Sequence, residues 1–199
     1  ELVGLSTSRS LKAKGSFEPI VWTGSSAYSD GYAARGYADA PFSLISANGV
    51  RADVDFGAIR ERVWRVDGIN LNRLVLLMND KDRLAGMAAQ ADLELEVEEP
   101  TDYLKALLPT EVEINEISIS DANLVAERET GGKISLSEVE ARLRPVKGSA
   151  AWAVSGKGGK LVMPDVPEME IESFATRLQG DELFITDAAF TLLDGARLS

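Results

Sequence analysis

The chain has no cysteine and no histidine. The first absence removes disulfides, thiol nucleophiles and thiolate metal sites, and the second removes Ser-His-Asp triads, imidazole zinc ligands and imidazole pH switches. Positive charge is scarce too: 21 Lys and Arg against 32 Asp and Glu leave a net charge of −11. Such a surface repels phosphate backbones, so nucleic acid is excluded as a natural partner. No apolar run approaches the roughly 20 residues that span a bilayer. The residues themselves contain no secretory-leader pattern, and a start at Glu1 without Met reads as a mature or trimmed form, which leaves room for a removed leader or anchor.

What is present is alternation. Hydrophobic residues make up 45% of 199 residues, enough for one sizeable core. Val50, Ala52, Val54 and Phe56 share one strand face, with Arg51, Asp53 and Asp55 on the other. Val63 to Met78 is a long strand whose alternation slips near Asp67-Gly68, as at a β-bulge. Ile114 to Leu143 reads as two amphipathic arms around Thr130-Gly131-Gly132-Lys133, a hairpin with a tight turn. Ala150 to Val154 is a further strand, Ser155 to Lys160 a second tight turn, and Leu161 to Met163 its return arm. Met169 to Leu178 and Leu183 to Leu193 complete the strands.

Two stretches break the pattern. Asn79 to Gln90 has helical spacing at Leu84, Met87, Ala88 and Ala91, and Tyr103 to Leu108 is a short helix bounded by Asp102 and Pro109. Between them Leu93, Leu95 and Val97 alternate with Glu94, Glu96 and Glu98. The expectation is a mainly β fold, a long, bent antiparallel meander sheet, open as a groove or partly closed, with one or two short helices. It forms a single β-rich domain over 11–199, with a loose N-terminus at 1–10 and a possible sub-boundary near 79–110. An internal echo runs through it. Ile117-Ser118-Ile119-Ser120-Asp121-Ala122-Asn123-Leu124 resembles Leu183-Phe184-Ile185-Thr186-Asp187-Ala188-Ala189-Phe190, 185 − 119 = 66 residues later, and Ile69 to Leu74 is a weaker copy.

No chemical site emerges. Gly156 to Lys160 lacks the Ser or Thr and the helix of a phosphate loop, since Leu161 and a strand follow. Asp80 and Asp82 sit two apart as in calcium loops, but Leu84 and Ala85 occupy positions that need a ligand and a glycine. The carboxylates mostly alternate along strands, as a solvated face does, and nothing selects a glycosidase pair. Trp22, Trp64 and Trp152 could stack on sugar rings, though aromatics scattered on strands more often fill a core. We expect no catalytic residue, no metal and no cofactor.

From Val112 onward the chain resembles the AsmA-like envelope family. The residues that carry the likeness are Ile114 to Leu124, Gly132 to Val139, Pro145 to Gly148, Gly156 to Gly159 and Ile185 to Leu198, with Val66 to Leu71 upstream. The family is related to the bridge-like lipid transfer proteins. The resemblance implies one section of a longer protein, anchored in the inner membrane and facing the periplasm, whose β-sheet groove guides lipid acyl chains without enzymatic chemistry. Its groove residues here would be Ile114, Ile117, Ile119, Leu124, Ile134, Leu136, Val139, Ile185 and Phe190. A structural β-domain with a sealed core and a carbohydrate-binding module are the alternatives.

Overall fold

The computed structural model describes residues 13–36, 42–61, 63–78, 111–127, 132–179, 182–192 and 197–198. Thirteen strands join in one sheet. They are β1 (Ala13–Phe17), β2 (Val21–Thr23), β3 (Ser26–Gly36), β4 (Leu44–Asp55), β5 (Val63–Met78), β6 (Glu111–Ile114), β7 (Ile117–Glu127), β8 (Lys133–Pro145), β9 (Ala151–Lys157), β10 (Lys160–Met163), β11 (Val166–Gln179), β12 (Glu182–Leu192) and β13 (Arg197–Leu198). A single turn of 3₁₀ helix, Ala58–Glu61, joins β4 to the stretch before β5. Both expected helices and the Leu93–Val97 strand lie outside the described residues, as do the N-terminal ten and Thr130-Gly131 of the first tight turn. The arms flanking that turn pair antiparallel as expected, down to Glu127 with Lys133.

Two expectations are corrected. The sheet is not antiparallel throughout, because β5 pairs parallel with β6 and β7. Alternation places side chains on faces in the same way for both senses of pairing, so it cannot reveal the sense. The partners stand 48 apart throughout, from Val63 with Glu111 (111 − 63) to Met78 with Ala126 (126 − 78). The weak echo at Ile69 to Leu74 therefore lies in register beside Ile117 to Ala122. Arg65 bonds Glu113 at 2.8 Å and Arg73 lies 3.3 Å from Asp121, so charge pairs across the joint favour the same register.

The second correction concerns Ser155 to Lys160, which is not a hairpin turn. β9 and β10 run on in one direction, and both are flanked by β8 on one side and β11 on the other. Gly158 and Gly159 adopt φ of 69° and 85°, which serves a turn or a bulge equally well. The long neighbours decide for a bulge, since they bond to the chain both before and after it. At Gly159 a Cβ would run into the Ser137 carbonyl oxygen and would stand 2.8 Å from Val139 Cγ2.

That bulge belongs to a line that crosses the sheet. In each long strand the alternation slips where two successive residues turn away from the apolar face. These are Asp30-Gly31 in β3, Asn48-Gly49 in β4, Asn72-Arg73 in β5, Ser120-Asp121 in β7, Ser137-Glu138 in β8, Glu172-Ser173 in β11 and Thr186-Asp187 in β12. Gly49 and Glu138 there have φ of 61° and 58°. Each slip keeps the apolar residues on one face while bending the strand. All three copies of the echo sit on this line, so the recurring Ile-x-x-Ala and Leu-x-x-Leu steps mark the bend.

Candidate functional site

The register fixes what lies on the apolar face. Below the bend, toward the start of β5, one cross-strand row reads Trp22, Ala27, Ala52, Ile69, Ile117, Leu143, Val154, Thr176, Ile185. Above it, another reads Ala34, Ile45, Leu76, Leu124, Leu136, Leu161, Met169, Leu192. The opposite face carries Arg51, Asn70, Ser118, Arg142 and Ser155 along a single row. Its ion pairs are partly exposed, as between Lys157 and Glu140 at 3.1 Å, and each contributes about 0–1 kcal/mol. One face is apolar across the full width of the sheet; the other, wet face carries these polar and charged groups at its centre, with Val21, Tyr28 and Phe184 near the lower end and Leu44, Leu77, Val125 and Val162 above the bend.

The centre of the apolar face is filled. Ile119, Val139, Ala141 and Ile171 form a buried cluster on the bend line, and Leu71, Leu74, Phe174 and Phe190 pack against it. Val139 is 0% exposed. Neighbouring side chains, Leu136, Leu161 and Phe174 among them, pack against the cluster it belongs to. Gly156 makes room: a Cβ there would collide with the Phe174 ring and stand 3.1 Å from Val139 Cγ1. Without a side chain at Gly156, Phe174 lies across its strand and closes over the cluster. A smaller cluster, Ala34 and Phe42 with Tyr32, Ile45 and Leu76, continues the floor above the bend.

Away from this line the face opens. Among the described residues the only secondary structure is this sheet and one 3₁₀ turn, and none of it forms a second layer over the face. Of the nine groove residues expected from sequence, all lie on the apolar face, but in different settings. Ile119 and Val139 are core, Ile114, Ile117, Leu124, Ile134, Leu136 and Phe190 are half-buried, and Ile185 is 69% exposed. The sequence reading missed the lower rim. There Trp22, Phe56, Trp64, Val112, Trp152, Leu178 and Leu183 stand at successive strand ends on the same face. Trp22 and Phe56 are in ring contact, with centroids 5.8 Å apart. Parity was the available signal, since Trp22, Trp64 and Trp152 each keep the alternation of their apolar neighbours.

The titrating groups are displaced from neutrality rather than toward it. The Ser26 hydroxyl, donating to Asp53 at 2.5 Å, holds that carboxylate below its usual range, with Arg51 assisting. Arg144, 2.5 Å from Glu116, does the same there, helped by Ser118. Burial pushes the Tyr32 phenol up, and its Oη has no hydrogen-bond partner among the described residues. None of these is tuned as a general acid or base for neutral pH. Among the described residues no group of three Asp or Glu is placed to hold a metal ion. The tryptophans are three strands apart, about 14 Å, too far to clamp one sugar ring between them.

A scan against protein-family models matches no family, and searches of curated proteins and of solved structures find no match. Function must be read from the geometry.

Proposed function

We propose that this chain binds lipid, holding acyl chains along the apolar face of its bent sheet. The observation that carries the reading is an apolar face that no other described element covers, kept continuous through the bend by a slip in every long strand. Exposed apolar surface of this extent marks a site of association. Each methylene transferred from water onto it gains about 0.8 kcal/mol, so an acyl chain needs no polar anchor to be retained. Headgroups would remain in water beyond the trough, and no covalent step is involved. The AsmA-like resemblance points the same way, toward a groove section of a cell-envelope protein.

The test is direct. The purified chain should carry phospholipid or fatty acid detectable by solvent extraction and mass spectrometry, and should take up a fluorescent phospholipid from dilute detergent. Ile185→Ser and Leu124→Ser should each reduce uptake, while Arg51→Ser on the wet face should not. A protein that yields no lipid and takes up none would sink the reading.

A further inference from the structure

The exposed apolar residues are unevenly placed. Among the described residues the large hydrophobics left exposed are Ile20, Val21, Trp22, Tyr28, Phe56, Val112, Leu178, Leu183, Phe184 and Ile185 below the bend, against Val162 and Val166 above it. All three tryptophans of the chain fall at that lower end, on the apolar face. Tryptophan pairs a large apolar ring with one N–H donor, which suits it to a boundary that is apolar on one side and wet on the other.

A second observation lies on the opposite face of the same strand ends. Arg142, Arg144 and Arg177 surround a basin of about 370 Å³ whose floor includes Ala153, Ser155 and Ala175. Arg144 and Arg177 flank Ala153 in one cross-strand row. Like charges so placed repel unless an anion lies between them. Glu116 answers Arg144, and Glu140 stands 3.7 Å from Arg142, but Arg177 has no carboxylate within ion-pair distance among the described residues. Three guanidinium groups against two carboxylates leave the basin with one uncompensated positive charge, at Arg177, in a chain of net charge −11.

We propose that the lower end of the trough docks on a phospholipid bilayer. The tryptophan rim enters the interfacial layer and the arginine basin meets lipid phosphates. Aromatic rim and cationic basin, back to back at one end, match a surface that offers acyl chains and phosphates within one layer. The inference rests on the lipid-binding reading, because docking there would bring the trough mouth to the source of its ligand.

The whole 199-residue chain would be mixed with vesicles of phosphatidylcholine alone, or of phosphatidylcholine with phosphatidylglycerol. Co-sedimentation and quenching of tryptophan emission by brominated lipid would be read. Quenching is expected with both, and stronger binding with phosphatidylglycerol. Trp22→Ser with Leu183→Ser, both at exposed positions, should weaken binding to both vesicles by about tenfold or more. Arg177→Gln should weaken binding to the phosphatidylglycerol vesicles by about fivefold. Wild-type binding by the double variant, no binding to either vesicle, or retention on a glucan column that needs Trp22 with no vesicle binding would each overturn the proposal. Lipid that co-purifies with a chain unable to bind vesicles would overturn the docking and leave the trough standing. Vesicle binding by a chain that neither carries nor takes up lipid would overturn the trough reading and support the surface alone.

Discussion

The bend line and the lower rim lie on one face of one sheet, yet they could hardly differ more. Val139 on the bend is 0% exposed, while Leu183 and Ile185 near the rim are 59% and 69% exposed. All three obey the same alternation. What separates them is curvature. At the bend, bulges in adjacent strands tip the flanking rows toward each other, and Phe174 closes over Gly156. A period of two thus assigns a face, whereas the degree of burial on that face is set by where the strands are bulged. The bend should carry the stability and the rim the binding.

The largest effect should come at Gly159, with its neighbour Gly158 in the central bulge as the control. Gly159→Ala places a Cβ against the Ser137 carbonyl, on a backbone at φ 85°. It should lose about 3 kcal/mol or more in urea unfolding. Gly158→Ala, at φ 69° with open space around it, meets only the backbone penalty and should lose about 1 kcal/mol. Equal losses would mean that the bulge is not packed against β8 as described.

The next comparison sets core against rim. Val139→Ala removes buried methyl groups from the filled cluster and should lower stability by about 2 kcal/mol, with lipid uptake little changed. Ile185→Ala, at a mostly exposed position, should stay within about 0.5 kcal/mol in unfolding while reducing lipid uptake. If Ile185→Ala unfolded the protein as readily as Val139→Ala, the rim would be core and the trough closed.

These contrasts also show what could be read from the chain itself. The faces were legible, because Val50, Ala52, Val54 and Phe56 need no partner to reveal a side. The slip at Asp67-Gly68 was legible too, since the apolar run breaks there. The slips could not be recognised as one line across the sheet, because that needs the register between strands far apart in sequence. The parallel joint of β5 with β7 was hidden for the same reason: Ile69 and Ile117 look alike whether their strands run together or opposed. The continuity of β9 into β10 was hidden because Gly158-Gly159 suits both a reversal and a bulge, and only β8 and β11 discriminate. Ile119 and Val139 were grouped with groove residues since alternation carries no information about depth.

A smaller effect, of opposite sign, is expected at Glu138. It is one of two non-glycine residues with positive φ among the described residues, and it lies on the bend. Its backbone N–H donates to Asn123 Oδ1 at 3.4 Å, a long bond that holds the bulge only weakly. Glu138→Gly should therefore stabilise by up to about 1 kcal/mol, measured as a rise in the urea midpoint. A loss instead would show that the Glu138 side chain supports the bend by more than filling its place.

The smallest effect concerns acid, and it should fall on the open half. Asp53 and Glu116, both below the bend, are held below their usual range, the first mainly by the Ser26 hydroxyl and the second mainly by Arg144. A carboxylate depressed in the folded state contributes stability that is fully present above its unfolded pKa, about 4. That contribution is lost as pH falls through the lower, folded value. Both side chains are partly exposed, at 35% and 30%, and screened by solvent, so the change should be a shallow slope rather than a transition. Between about pH 5 and pH 3, amide protection at Ser118 and Arg142, which flank the Glu116–Arg144 pair, should fall more steeply than at Val139. Glu116→Gln removes the titration, so the difference in urea midpoint between wild type and variant should shrink over that interval. Parallel curves for the two proteins would mean that Glu116 is not held by Arg144 in solution. The acid sensitivity of the lower half would then rest on Asp53 alone.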